Sequence, residues 1–119
     1  MTVVESTMNG VSVVAPLSSR LDAAGCGEFR LRVEDVLRRG QRRVVLDLSA
    51  VTFIDSTGLS VIIGAVRSLS EDGRLACAGL GRQPRALFQV TKLDRGLVDL
   101  FETVEQAVDA LGAGGGQRQ

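Results

Sequence analysis

A short polar segment, Asp55-Ser56-Thr57-Gly58, separates two long apolar stretches of the sequence. Its acid, its hydroxyls and its glycine could cap a helix, attack a substrate or accept a phosphoryl group. Nucleophilic attack needs a base, and the chain has no histidine, which excludes the Ser-His-Asp and Cys-His systems. The nucleophile elbow of α/β-hydrolases is excluded too, because Ile54 occupies the position of its first glycine. Capping and modification therefore remain as explanations of the segment.

The chain also lacks the residues that other enzyme classes require. The Walker phosphate-binding pattern is absent, and Cys26 and Cys77 cannot form a zinc site without further ligands. A receiver domain needs an acidic pair after its first strand, where this chain has Met8-Asn9-Gly10. We therefore predict a protein that is not an enzyme and that uses neither a metal nor a cofactor. Both cysteines are predicted to be buried free thiols.

The composition indicates one small domain with no general affinity for nucleic acid or lipid. The chain has 119 residues, of which 45% are hydrophobic, so a single core can be buried. Its 14 basic and 14 acidic residues cancel, and aromatic residues make up only 3%. This removes both electrostatic attraction to phosphate groups and platforms for stacking bases. No apolar run is long enough to span a membrane, and the N-terminus does not resemble a signal peptide. We predict a cytoplasmic protein.

Hydrophobic periodicity predicts alternating strands and helices in the order β-β-α-β-α-β-α-β-α. Asn9-Gly10 predicts a tight turn, so the first two strands should form a β-hairpin. The predicted fold is α/β, with a mostly parallel or mixed central sheet covered by helices. This domain spans residues 1–111, and residues 112–119 are predicted to form a flexible glycine-rich tail. The predicted strands are residues 3–8, 11–17, 44–48, 74–80 and 97–101, and the four predicted helices are about residues 23–39, 57–71, 84–93 and 104–111.

The sequence also predicts which residues cap the helices and which helix faces are buried. Asp22 is predicted to cap the first helix, and either Asp55 or Ser56 the second. The core stripe of the second helix is predicted to consist of Leu59, Ile62, Ile63, Val66 and Leu69. Its opposite face is small and nearly uncharged, unlike a solvated helix face. This favours contact with a partner, and a helix packed on both sides is the alternative. The residues of that opposite face are Thr57, Ser60, Val61, Gly64, Arg67 and Ser68. The third helix is predicted to bury Ala86, Leu87 and Val90.

Ser56 is predicted to lie where the second helix begins at the carboxyl end of a strand. Such positions are exposed in open α/β sheets, and the helix dipole stabilises a phosphoryl group there. Phosphorylation would add about −1.5 to −2 charges beside the carboxylate of Asp55. A partner bound tightly around this point would then meet both bulk and like charge. Modification of Ser56 is therefore predicted to weaken the binding of such a partner.

The sequence VVLDLSAVTFIDSTGLSVIIGAVRSL, residues 44–69, resembles the central segment of STAS domains, in particular those of bacterial anti-sigma factor antagonists. The order of elements is similar to that family over residues 3–111. The D-S-[ST]-G-L pattern is specific because it stands between the expected strand and the expected helix. The resemblance implies a partner-switching protein whose unphosphorylated form binds an anti-sigma factor and frees the sigma factor for transcription.

In this family the anti-sigma factor is also a serine/threonine kinase, with an ATP-binding fold like that of histidine kinases. The resemblance implies that this kinase phosphorylates Ser56, with Thr57 as a secondary candidate, and that the complex then dissociates. It also implies a metal-dependent serine phosphatase that restores the active form. Other STAS domains act as interaction modules without phosphorylation, so a scaffold or transporter-associated complex is the alternative function. The sequence also leaves a weak homodimer open.

The family has an aspartate in a G-x-[LI]-D pattern after its second strand. Asp22 matches this aspartate, whereas Ser19 and Arg20 depart from the pattern, which bears on the identity of the partner. The resemblance implies that Asp22 lies near Ser56 in the same rim of loops. The predicted partner-binding residues are Asp22, Asp55, Ser56, Thr57, Gly58, Ser60, Val61 and Gly64.

Overall fold

Strands and helices alternate along the chain, of which the computed structural model describes residues 2–112. The order is as predicted, with two additional short strands, and it confirms the α/β fold. The elements are β1 (Val3–Met8), β2 (Val11–Pro16), β3 (Arg20–Leu21), α1 (Gly27–Arg38), β4 (Arg43–Asp47), β5 (Phe53–Ile54), α2 (Ser56–Ser68), β6 (Arg74–Ala78), α3 (Arg82–Val90), β7 (Asp99–Phe101) and α4 (Val104–Leu111).

Five strands form a mixed sheet in the order β1-β2-β4-β6-β7. Only β1 and β2 are antiparallel, and all the other neighbours in this sheet are parallel. The hairpin turn is the predicted Asn9-Gly10, and both residues have positive φ, 53° and 79°. This geometry suits the right-handed twist of the two strands. The predicted opening hairpin is therefore confirmed.

Helices cover both faces of this sheet, and each face has its own apolar core. The larger core lies under α1 and α2 and contains the fully buried rings of Phe29 and Phe88. The smaller core lies under α4, where Val108 and Leu111 pack against valines and alanines of β2, β4 and β6. Both cysteines are free and buried, as predicted. Burial raises the pKa of the Cys77 thiol, which keeps it protonated.

Two very short strands, β3 and β5, form a second, parallel sheet that the sequence did not predict. Arg20 lies opposite Phe53, and Leu21 lies opposite Ile54. Strands of two residues are too short to show any periodicity, so the pattern of the sequence did not reveal them. Because the two strands are parallel, the loop that follows β3 and the helix that follows β5 leave this small sheet on the same side.

The boundaries of α1 and α2 need correction. α1 begins at Gly27 rather than near residue 23, and Asp22 does not cap it, because the N-cap is Cys26. Asp22 instead accepts a hydrogen bond from the backbone N–H of Gly25 at 3.0 Å, in the turn before the helix. α2 ends at Ser68 rather than near residue 71. The predicted tail lies outside the described residues apart from Gly112, and the domain boundary stays a prediction.

The buried face of α3 also differs from the prediction. Pro84 and Phe88 face the core, whereas Ala86 is exposed and Val90 is 78% exposed. Leu87 is half-buried, so the predicted inward face is wrong for Ala86 and Val90. Phe88 offers the largest apolar area in this helix, and burying it turns residues two positions away to the opposite side, at about 100° per residue.

Candidate partner-binding site

Asp55 caps the N-terminal end of α2. Its Oδ1 accepts hydrogen bonds from the backbone N–H groups of Thr57 at 2.9 Å and Gly58 at 3.1 Å. The extended backbone of Asp55, with φ −103° and ψ −171°, is the usual geometry of an N-cap. Of the two predicted capping residues, Asp55 is therefore the one that caps the helix.

Ser56 is the first residue of α2, and its side chain is exposed. Neither of the capping hydrogen bonds uses its hydroxyl, because both are accepted by Asp55. Thr57, the secondary candidate for modification, is half-buried. The rim of loops therefore displays the hydroxyl of Ser56 more openly than that of its neighbour, at the positive end of the helix dipole.

Gly58 allows α2 to approach β3 closely. A Cβ atom at position 58 would lie 2.3 Å from the carbonyl oxygen of Leu21 and 2.8 Å from its Cβ atom. These distances are far inside van der Waals contact, and close-packed interiors do not accommodate such overlaps without movement. Gly58 is buried, so its assignment to the partner-binding surface is corrected: it is a packing residue.

Gln83 of α3 fixes the strand that leads into the site, and sequence reasoning missed it. Its Nε2 donates to the carbonyl oxygen of Ile54 at 2.9 Å, and its Oε1 accepts from the N–H of the same residue at 2.9 Å. The side-chain amide thus pairs with β5 as the backbone of a neighbouring strand would. Because Ile54 directly precedes Asp55, these two bonds hold the start of α2 in place. No motif in the sequence links Gln83 to Ile54.

Asp22 and Asp55 lie at the same end of the small sheet. The parallel register places Leu21 opposite Ile54, and the aspartates are the next residues of the two segments. The backbone N–H of Asp55 also donates to the carbonyl oxygen of Leu21 at 3.1 Å. The structure therefore brings Asp22 to the segment that contains Ser56, through the strand pair that the sequence did not reveal.

The carboxylate of Asp22 has a hydrogen-bond donor on each oxygen. Oδ1 accepts from the N–H of Gly25 at 3.0 Å, and Oδ2 accepts from Nε of Arg20 at 3.0 Å. The guanidinium of Arg20 also lies over the ring of Phe53, 4.4 Å from its centroid. The hydrogen bond from Arg20 is the main cause that holds the pKa of Asp22 below its ordinary value. Asp22 therefore stays ionised at neutral pH.

The exposed face of α2 is narrower than predicted. Ser60 and Gly64 are exposed, and they line a shallow groove between α1 and α2 together with Arg30. The hydroxyl of Ser60 donates to the carbonyl oxygen of Thr57 at 2.6 Å and accepts from Nη2 of Arg30 at 3.5 Å. Val61 is only 5% exposed because α1 packs against that side of the helix. Its placement on the exposed face is therefore wrong.

The turn after β3 and the start of α2 form the rim of this candidate site. The rim presents the exposed hydroxyl of Ser56 together with the carboxylates of Asp22 and Asp55. Among residues 2–112, no group of three or more His, Cys, Asp or Glu side chains could hold a metal ion. None of the helices in the described part of the chain has the length and apolar character that a membrane crossing requires.

The fold and the rim together match one family of proteins. The model of the STAS domain family matches residues 3–107. The chain therefore belongs to the STAS domain family, as its sequence pattern predicts.

Proteins similar to this chain carry the name anti-sigma factor antagonist. A Thermotoga maritima protein with that name as a provisional assignment is 30% identical over 77 residues, which cover 64% of this chain and 67% of the relative. The anti-sigma-B factor antagonist of Staphylococcus aureus is 26% identical over 103 residues, which cover 86% of this chain and 92% of the relative.

Solved structures show the same fold. A crystal structure from Thermotoga maritima, also provisionally assigned as an anti-sigma factor antagonist, has a TM-score of 0.82 at 25% identity, covering 92% of this chain and 93% of the other. The Bacillus protein SpoIIAA in its phosphorylated form has a TM-score of 0.71 at 21% identity, with coverage of 91% and 97%. At this low identity, the second likeness concerns the fold alone.

Proposed function

We propose that this chain is an anti-sigma factor antagonist that works by partner switching. In its unphosphorylated form it binds an anti-sigma factor and so frees a sigma factor for transcription. The observation that carries the proposal is the exposed hydroxyl of Ser56 at a helix start that Asp55 and Gln83 hold in place. The names of the relatives from Thermotoga maritima and Staphylococcus aureus support it.

Phosphorylation of Ser56 is the switch in this proposal. It would add about −1.5 to −2 charges in a segment where Asp22 and Asp55 already present carboxylates. A like-charge contact inside an interface costs several kcal/mol. A change from 99% bound to 99% free requires about 5.5 kcal/mol. Steric exclusion by the phosphoryl group would contribute the remainder, so the domain does not need to refold.

Because the start of α2 is held in place, phosphorylation of Ser56 would change the charge of this surface and not the conformation of the backbone. The cap is supplied by Asp55 and not by Ser56, so a phosphoryl group on Ser56 would leave both capping hydrogen bonds in place. The close contact of Gly58 with Leu21 also resists movement of the first helical turn. A structure of SpoIIAA exists in a phosphorylated form, and its fold matches this chain, which supports a modification without refolding.

The proposed partners follow from the same switch. The anti-sigma factor would itself be a serine/threonine kinase with an ATP-binding fold like that of histidine kinases, and a metal-dependent serine phosphatase would reverse its action. All of these proteins would meet in the cytoplasm. Thr57 is a poorer acceptor than Ser56, because its side chain is half-buried in the first turn of the helix.

The first test is a pull-down from the native cytosol with wild type, Ser56→Ala and Ser56→Glu as baits, read by mass spectrometry. We expect wild type and Ser56→Ala to capture a protein with a histidine-kinase-like ATP-binding fold, and Ser56→Glu to lose it. Ser70→Glu is the matched control, because it adds the same charge at an exposed position just beyond the far end of the same helix, outside the groove that Ser60 and Gly64 line. We expect it to bind like wild type.

The second test asks whether the captured protein is the kinase. Incubation with ATP should add one phosphate to wild type at Ser56 and none to Ser56→Ala, as mapped by peptide mass spectrometry. Equal capture by the Ser56→Ala and Ser56→Glu baits, with both variants folded, would contradict the switch. The serine would then be only the first residue of a capped helix.

A further inference from the structure

Strand β1 forms an open edge of the main sheet. It is the first strand in the order and pairs only with β2 among the described residues. The backbone N–H of Leu17 donates to the carbonyl oxygen of Thr2 at 2.8 Å, which continues the antiparallel register of the two strands. Because antiparallel bonding alternates along a strand, the backbone groups of Val3, Glu5 and Thr7 point to the open side.

This edge lacks the features that usually prevent pairing with another strand. β1 has six residues and contains no lysine, arginine or proline. Its one charge, Glu5, is turned towards α1, where it pairs with Arg39 and lies 3.8 Å from Arg32. The opposite edge of the sheet is protected, because β7 has only three residues.

Within residues 2–112, one face of β1 carries apolar side chains that are only partly covered. Val4 is 47% exposed and Met8 is 38% exposed, and both lie on the same face because residues of equal parity share a face. Ser6 lies between them and is also exposed. An open edge beside exposed apolar side chains is the combination that a further strand would satisfy.

We propose that this edge binds a second copy of the same chain. The two copies of β1 run antiparallel around a two-fold axis perpendicular to the sheet, and the two five-stranded sheets become one continuous sheet. This goes beyond the proposed partner switching and uses none of the residues assigned to it.

The side chains select the register of this pairing. With Ser6 opposite Ser6 of the second copy, Val4 lies opposite Met8, and Glu5 lies opposite Thr7. Both exposed apolar side chains are then covered, and no like charges face each other. Val4 and Met8 form pairs without backbone hydrogen bonds between them, in which Cα atoms are about 4.5 Å apart and side chains approach closely. With a shift of one residue pair, Glu5 would lie opposite Glu5, and Met8 would lose its apolar partner.

Sedimentation analysis over a range from micromolar to millimolar protein tests the dimer. We expect the mass of the wild type to rise towards twice the monomer mass. Val4→Lys and Thr7→Pro should remain monomeric over the same range. The N–H of Thr7 points away from β2, so proline there leaves the hairpin bonds intact, and circular dichroism checks the fold of both variants. A wild type that stays monomeric at millimolar concentration overturns the proposal.

Cysteine cross-linking tests the register. Ser6→Cys should form a disulfide-linked dimer under mild oxidation, because this position faces itself across the axis at a distance within the range of a disulfide. Val4→Cys is the matched control on the same face and should not cross-link to itself. The two native cysteines do not interfere, because both are buried. Cross-linking of Glu5→Cys in place of Ser6→Cys would overturn the register.

Discussion

The two helices that pack together on one face of the sheet begin in different ways. The N-cap of α2 is Asp55, whose carboxylate accepts two backbone hydrogen bonds. The N-cap of α1 is Cys26, whose side chain makes no capping hydrogen bond. Both helices have a glycine in the first turn, but Gly58 is pressed against Leu21, whereas a Cβ atom at Gly27 would meet nothing within 4 Å. One start is fixed by its surroundings, and the other is loosely held.

The difference shows which helix start is built to present a side chain. The segment before α2 is held by Gln83 from one side and by the backbone of Leu21 from another. A residue at the first position of such a helix, here Ser56, is displayed with little freedom to move. A preorganised site loses less conformational entropy when a partner or a kinase binds it.

The largest expected effect comes from adding one methyl group to each of the two glycines. Gly58→Ala should destabilise the domain by about 2–3 kcal/mol, because the new Cβ overlaps the backbone of Leu21 and forces α2 and β3 apart. Gly27→Ala, the matched control, should stabilise it by up to about 1 kcal/mol through the higher helix propensity of alanine. Urea unfolding of both variants measures this. Changes of equal sign would show that the two helix starts do not differ as described.

The next effect, of about 1 kcal/mol, concerns the cap of α2. Asp55→Ala should destabilise the domain by about 0.5–2 kcal/mol, because the N–H groups of Thr57 and Gly58 lose their acceptor. Asp55→Asn should cost little, since asparagine caps a helix about as well as aspartate. Urea unfolding again gives the free energies. If asparagine costs as much as alanine, the negative charge and not the cap is what stabilises this helix start.

The comparison also shows what the sequence could and could not predict. The hairpin at Asn9-Gly10, the order of the main elements and a cap at either Asp55 or Ser56 follow from local signals, because turn and capping chemistry acts over a few residues. The bonds from Gln83 to Ile54 connect residues 29 positions apart and have no local signal. The contact of Gly58 with Leu21 depends on β3 and β5, which are too short for a periodic pattern.

The misplaced residues of α2 have one physical cause. The sequence favoured a partner-contact face over a helix packed on both sides, which leaves Val61 on the outside. In the structure α1 packs beside α2 as well, so a second side of the helix is buried and includes Val61. Helix–helix packing depends on where two separate elements come to lie, and a single hydrophobic stripe does not report it.

The smallest expected effect lies at the loosely held start, in the turn before α1. Arg20 holds the pKa of Asp22 below the ordinary value of about 3.9. A carboxylate with a lowered pKa in the folded state contributes stability above the unfolded pKa, and that contribution disappears as the pH falls through the folded pKa. The side chain of Arg20 is 58% exposed and that of Asp22 is 23% exposed, so solvent screens the pair and the effect on unfolding should be small. A carboxyl-carbon NMR titration measures the pKa directly. In Arg20→Gln we expect the pKa of Asp22 to move up towards the ordinary value. An unchanged pKa of Asp22 would mean that the N–H of Gly25 alone holds the carboxylate, and that Arg20, which departs from the family pattern, is free to contact a partner.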